Sequence, residues 1–237
     1  MKTIFSLKRG FFLAAIIIAF SSCTTRIEGE LLKGGAAELR LQASLGPMTA
    51  VLIKSMRSFM GDNSGSPLVD SEALNRSMAA LPGIGAISLK NSSPSAINGT
   101  ISVASIVNFL STAGGRGIIT YTEGQNSSIT INLDRESVPV LISRLSPEAE
   151  EYLSALMAPV ILGEKSTKQE YLDLVAMVYG RPLADEVAGA RILVLIDFPR
   201  PVTSVNGGTA RGNRAEFELP LTDILVLERP LQFYVSW

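Results

Sequence analysis

The sequence predicts an α+β domain: an antiparallel sheet built from hairpins, with its helices gathered mainly in one stretch. Three observations point there. Apolar and polar residues alternate in short runs bounded by glycine-rich turns, the pattern of half-buried antiparallel strands. Helical spacing dominates residues 134–190, between two strand-rich stretches. Strand–helix–strand alternation does not recur, which argues against a doubly wound parallel sheet. About nine strands and four or five helices are expected on this reading.

Lys2, Lys8 and Arg9 make a basic start, and Phe11 to Phe20 form an apolar run. A helix crossing the bilayer needs roughly 20 apolar residues, and this run falls well short. It fits the core of a secretory signal, about 7–15 residues behind positive charge. Ser21 and Ser22 then lead into Cys23, the chain's single cysteine. We read 1–22 as a cleaved signal and 23–237 as one α+β domain, with a helical subregion at 134–190. An ordinary signal cut that leaves Cys23 as a free thiol, and an uncleaved N-terminal anchor, are the competing readings.

The residues Phe20-Ser21-Ser22-Cys23 resemble a bacterial lipobox of the spirochaete type. They depart from the usual pattern with Phe for Leu and Ser for Gly or Ala. The resemblance implies a lipoprotein whose Cys23 carries a diacylglyceryl thioether, and palmitate with it. One acyl chain holds a protein only marginally, whereas two or more anchor it stably. Thr24 stands where an Asp would imply inner-membrane retention, so the implied location is the cell envelope, the outer membrane ahead of the inner.

Composition excludes a good deal. Of 21 basic residues three lie in the signal, which leaves 18 against 22 acids, a net of about −4. With no run of Lys or Arg, a nucleic-acid footprint is absent. There is no histidine, and lipidation consumes the only thiol. Ser-His-Asp and Cys-His catalysis, His-ligated zinc, zinc-thiolate sites and disulfides are all removed together. No cofactor or metal is expected.

In chain order, residues 26–32 and 37–45 predict a hairpin around Gly34-Gly35. Leu39, Leu41, Ala43 and Leu45 face in; Glu38, Arg40, Gln42 and Ser44 face out. Pro47 opens a helix to Met60 with Met48, Val51, Leu52, Ser55, Met56 and Phe59 on one side and Lys54, Arg57 and Ser58 on the other. We read that apolar side as core-facing, ahead of an interfacial amphipathic helix on a membrane. Residues 61–67 read as a loop.

Asp70 is the expected N-cap of a helix over 71–81, stopped by Pro82-Gly83. Residues 84–90 and 98–104 predict a second hairpin across a polar loop at 91–95. Residues 105–112 fit helix or strand. Gly114-Gly115-Arg116-Gly117 reads as a turn, without phosphate-loop spacing. Residues 118–123 and 127–133 predict a third hairpin.

Ser146-Pro147-Glu148 reads as a helix start, and Glu148, Glu150 and Glu151 as solvated first-turn acids. Thr167 to Glu170 is a capping box ahead of Tyr171, Leu174, Val175 and Val178, with Gly180 and Pro182 as the stop. Residues 191–198 are apolar on both faces, which places them in the middle of a covered sheet. Ala215, Phe217 and Leu219 face in while Glu216 and Glu218 face out. Leu231, Phe233, Val235 and Trp237 alternate to the last residue. The first hairpin and the three C-terminal strands are expected to share one antiparallel sheet, with 134–190 covering it.

The run Ile196-Asp197-Phe198-Pro199, then Val205-Asn206-Gly207-Gly208 and two further strands, is weakly similar to LppM-like lipoproteins. That resemblance covers about 45 residues and implies a lipid-anchored α+β protein handling envelope lipids. Two functions are weighed. The first is a non-catalytic lipid-anchored envelope module, binding or structural, attached to the membrane through Cys23. Its partner would be an envelope lipid or protein, and one version takes an apolar ligand. The second is an envelope glycan-acting hydrolase, which needs two carboxyls roughly 5–9.5 Å apart in a cleft. Asp197 is the acid whose burial on an apolar strand would raise its pKa, although a solvated strand end is the plainer reading.

Overall fold

The computed structural model describes residues 25–59, 61, 65–112, 118–142 and 157–237. The signal with Cys23, the cluster Gly114-Gly115-Arg116-Gly117, the Ser146-Pro147-Glu148 start and Glu148, Glu150 and Glu151 lie outside the described residues.

β1 (Thr25–Leu31) and β2 (Ala37–Ser44) form the expected first hairpin, with Arg26 opposite Gln42 and Leu31 opposite Ala37. Helix α1 (Pro47–Phe59) and helix α2 (Ser71–Ala79) follow. Asp70 caps α2 by accepting from the Glu72 and Ala73 amides, both at 2.9 Å. This satisfies two of the amides that every helix N-terminus leaves unpaired. β3 (Ile84–Ser93) and β4 (Ala96–Val103) turn tightly at Pro94-Ser95. The predicted loop at 91–95 is therefore mostly strand. Asn91 is spent there on tertiary bonds, donating to Val69 O and accepting from the Ser71 hydroxyl, both at 2.7 Å.

Residues 106–112 resolve to helix, α3 (Ile106–Thr112), before the third hairpin, β5 (Ile119–Thr122) and β6 (Ser128–Leu133). The helical stretch comprises α4 (Ser137–Ile142), α5 (Ala158–Ile161), α6 (Lys168–Tyr179) and α7 (Arg181–Gly189). The capping box of α6 forms as predicted: Thr167 N donates to Glu170 Oε2 at 2.7 Å, and Glu170 N to Thr167 Oγ1 at 3.2 Å. Gly180, at φ 93°, ends α6, and Pro182 then lies in the first turn of α7. β7 (Arg191–Asp197), β8 (Ser204–Asn206), β9 (Thr209–Arg211), β10 (Arg214–Pro220), α8 (Leu221–Val226) and β11 (Leu231–Ser236) complete the chain.

The mixed α+β class holds, but the strands divide between two sheets. The larger has the order β3-β4-β2-β1-β7-β10-β9, the smaller β5-β6-β11-β8. Two expectations are corrected here. β1 pairs with β7 in parallel, Thr25 beside Ile192 through Glu30 beside Asp197. β11 lies in the smaller sheet, between β6 and β8, and does not join the first hairpin. Alternation reports which face of a strand is buried and says nothing about its neighbour.

The chain changes sheets between β8 and β9, at Gly207-Gly208. Gly207 has φ 78°, and a Cβ there would stand 2.7 Å from the Phe233 ring. A Cβ on Gly208 would stand 2.4 Å from Glu216 O. Both contacts are too close for any side chain, so the crossing requires glycine twice.

One face of the larger sheet carries the interior. At one end Leu41, Ile97, Ile101, Ala215 and Phe217 meet Val235 and Trp237 of the smaller sheet, and α2 adds Leu74 and Met78. Under the helices, Ile192 packs with Val160, Tyr171, Val175, Leu183, Val187 and Leu225. Val194 and Leu219 touch both clusters and join them. The opposite face holds Glu38, Arg40, Glu216 and Glu218, all exposed.

Helix α1 divides the side predicted to face the core: Met48 and Leu52 pack inward, whereas Val51, Met56 and Phe59 do not. Ala50 and Ile53 reach the first cluster and Met48 and Leu52 the second, with Thr49 buried between them. Val51, Met56 and Phe59 face water. The rotation is set by Glu186 on α7, whose carboxylate accepts from Met48 N, Thr49 N and Thr49 Oγ1, each at 2.8 Å. On α6 the predicted stripe splits likewise: Tyr171 and Val175 are buried, Leu174 and Val178 exposed.

The free edge of β3 is closed by a side chain. Asn75 of α2 donates to Leu89 O and accepts from Leu89 N, both at 2.8 Å, as a neighbouring strand would. Unpaired edges template aggregation, and this amide blocks one. Asn75→Ala should lose about 1–3 kcal/mol by leaving the Leu89 amide unpaired, read from urea unfolding. An unchanged midpoint would show that water replaces the amide without cost.

Candidate functional site

Because β1 and β7 run parallel, the segments that follow them emerge at the same end of the larger sheet. Leu32, Lys33 and Gly34 come from the turn after β1, and Pro199 and Arg200 from the segment after β7. Tyr121, Glu123, Gly124 and Ser127 of the β5–β6 hairpin close the other side, with Trp237 at the base. Together they line a cleft of about 330 Å³.

Arg200 holds this cleft together. Its guanidinium donates to Gln125 O at 2.6 Å, Trp237 O at 2.9 Å, Gly124 O at 3.2 Å and Ser127 Oγ at 3.3 Å. Those donors are spent on backbone and hydroxyl oxygens, so Arg200 clamps the hairpin. The indole of Trp237 lies 4.6 Å from the Phe198 ring and 6.3 Å from Tyr121, centroid to centroid. The strand end is stitched to the hairpin by Trp237 N donating to Ser127 O at 3.0 Å and Ser127 N to Trp237 O at 3.1 Å.

Three groups are left for a ligand. Within the described structure the Lys33 ammonium and Glu123 carboxylate have no ion-pair partner, and the Tyr121 phenol has no hydrogen bond. Burial, and secondarily the charge of Glu123, hold the Tyr121 phenol above its ordinary value. The cleft therefore offers a cation, an anion and a neutral hydroxyl over an aromatic floor.

Asp197 lies elsewhere, on the charged outer face, and its expected pKa shift is reversed. Arg214 grips it with two bonds, Nε to Oδ1 at 2.8 Å and Nη2 to Oδ2 at 2.6 Å. That guanidinium holds the carboxyl below its usual range and outweighs desolvation. The partner was invisible in the sequence because it sits 17 residues away, opposite Asp197 in the β10–β7 register. Among the cleft-lining residues Glu123 is the one carboxylate, where a glycosidase needs two. Among the described residues there is no group of three or more His, Cys, Asp or Glu placed to hold a metal. Nor is any described helix long and apolar enough to cross a membrane.

The cleft residues were missed at the sequence level. Lys33, Glu123, Tyr121 and Arg200 share no motif, and only the pairing of β1 with β7 and of β6 with β11 brings them together.

No family model matches the chain, and no curated protein matches it. Among solved structures the chain aligns with the NMR structure of the folded domain of Mycobacterium tuberculosis LppM. The alignment covers 100% of this chain and 93% of that one, at 12% identity and a TM-score of 0.38.

A phenol whose folded pKa is raised contributes stability below its unfolded value near 10, and loses it as the pH rises through the folded value. Glu123→Gln removes one of the two causes. The phenolate absorbance assigned to Tyr121, by difference from Tyr121→Phe, should then appear at lower pH than in the parent. An unmoved titration would place the Glu123 carboxylate out of reach of the ring.

Proposed function

We propose that this chain is a non-catalytic, lipid-anchored envelope protein that presents a ligand-binding cleft away from the membrane. The observation that carries the proposal is the position of Cys23. The only cysteine closes a signal-like apolar run and stands two residues before Thr25, which is 0% exposed and opens β1. A lipid on Cys23 would tie the bilayer to the centre of the larger sheet, since β1 lies between β2 and β7. Thr24 after the cysteine supports the outer membrane over the inner.

The cleft lies at the far end of β1, roughly 20 Å from Thr25 at about 3.3 Å per residue. The free Lys33 and Glu123 further favour a polar or amphipathic envelope ligand carrying both charges over a wholly apolar one. The single carboxylate of the cleft supports binding rather than glycan hydrolysis.

Radiolabelled palmitate should enter the parent protein and be absent from Cys23→Ala. Equal labelling of both would overturn the anchor. For the cleft, native mass spectrometry of protein extracted from envelopes should show a bound mass that Lys33→Glu releases at least about tenfold more readily, a loss of about 1.4 kcal/mol. A mass retained equally by both would remove Lys33 from the site.

A further inference from the structure

At the end of the larger sheet that bears Thr25, helices α1, α7 and α8 meet the strands. β2 runs antiparallel to β1, so α1 departs beside Thr25, four residues after Ala43. α7 enters β7 there, and β10 leaves there into α8. Helix α1 turns an unusual surface outward at this end. Phe59 is 93% exposed, Val51 58% and Met56 46%. At 100° per residue they lie within one arc of roughly 140°, flanked by Lys54. Ala50, Ile53 and the Glu186 bonds engage the inward side, and Met48 and Leu52 pack on the second cluster, which leaves Val51, Met56 and Phe59 exposed among the described residues.

Charge decides what covers it. Helix α1 carries Lys54 and Arg57 and no acid, in a chain with more acids than bases. Lys54 has no ion-pair partner within the described structure, and Arg57 reaches Pro67 O at 3.0 Å. Helix α6 also exposes apolar side chains, Met177 at 76% among them, but its exposed face carries Glu170 and Asp173. An anionic bilayer would attract the first surface and repel the second. Apolar side chains with a cation at their rim, here Lys54, suit a helix lying in the headgroup boundary, while Arg57 is turned to the 66–67 loop.

We propose that the Val51–Met56–Phe59 face of α1 lies in the interface of the same anionic bilayer that holds the Cys23 lipid. This rests on the anchored reading above. The lipid supplies attachment, and α1 supplies orientation. With both in place the domain cannot swivel, and the Lys33–Glu123 cleft is held pointing away from the membrane.

The test uses the mature lipidated protein, extracted in detergent and reconstituted into vesicles of phosphatidylethanolamine and phosphatidylglycerol. Cys23 is consumed by its lipid, so Phe59→Cys and, as a control, Lys33→Cys each offer one thiol to an environment-sensitive fluorophore. Flotation is measured first, then quenching by acyl-brominated phospholipid. The label at position 59 should be blue-shifted and quenched at least threefold more strongly than the label at position 33. Flotation with equal, weak quenching at both positions would overturn the α1 contact while leaving the anchor standing. A blue shift at position 59 without bromine quenching would mean protein covers the face, and would overturn the bilayer as its occupant. Failure to float would remove the anchor and this contact together.

Discussion

The parallel ladder between β1 and β7 is the constraint on which the rest of the structure depends. It joins Thr25–Glu30 to Ile192–Asp197 across more than 160 residues of intervening chain. Without it the N-terminal hairpins and the C-terminal strands would be two small sheets, each with a long open edge. With it they form one seven-stranded sheet whose central strands have neighbours on both sides. The closure is entropically expensive to reach, since so distant a pairing forms late and rewards the chain only once complete. Leu195 and Ile192, buried in β7, are the return on it.

Among the described residues the sheet is covered on one face only. Its inner face receives the smaller sheet at one end and the helices at the other, joined through Val194 and Leu219. The outer face is a lattice of long charged side chains, including the Arg214–Asp197 pair and Arg191 with Glu218 at 3.0 Å. Apolar Leu193 and Leu195 point to this side, with Arg26, Glu28, Glu216 and Glu218 as their register neighbours. Leu195 is nonetheless buried. Aliphatic stems of charged residues cover apolar surface while their heads stay in water. A strand apolar on both faces therefore sits in a sheet whose outer face, among the described residues, is covered by charged side chains rather than by a second layer.

The direction of β1 also distinguishes the two ends of the larger sheet. The chain enters at Thr25 among the helices and leaves β1 at the cleft. Arg200 and Trp237 brace the cleft, which leaves Lys33, Glu123 and Tyr121 for recognition. The proposed attachment at one end and the proposed recognition at the other both rest on a single strand's orientation.

The sequence by itself determined the class, the hairpins at 26–45 and 118–133, the caps at Asp70 and Thr167, and the inward Ala215 and Phe217. Each of these is a local matter, decided by alternation, turn residues or side chains three positions apart. Lipidation of Cys23 is an expectation from the sequence, and Cys23 lies outside the described residues. Tertiary structure decided which strands are neighbours, that β11 joins the smaller sheet, and that β1 and β7 run parallel. It also decided the rotation of α1, through Glu186 reaching Thr49 from 137 residues away. Asp197 shows the same division, its low pKa coming from Arg214 across the ladder. A periodic pattern records that a face is apolar; only packing against distant residues determines whether that face meets the core or is left for something else.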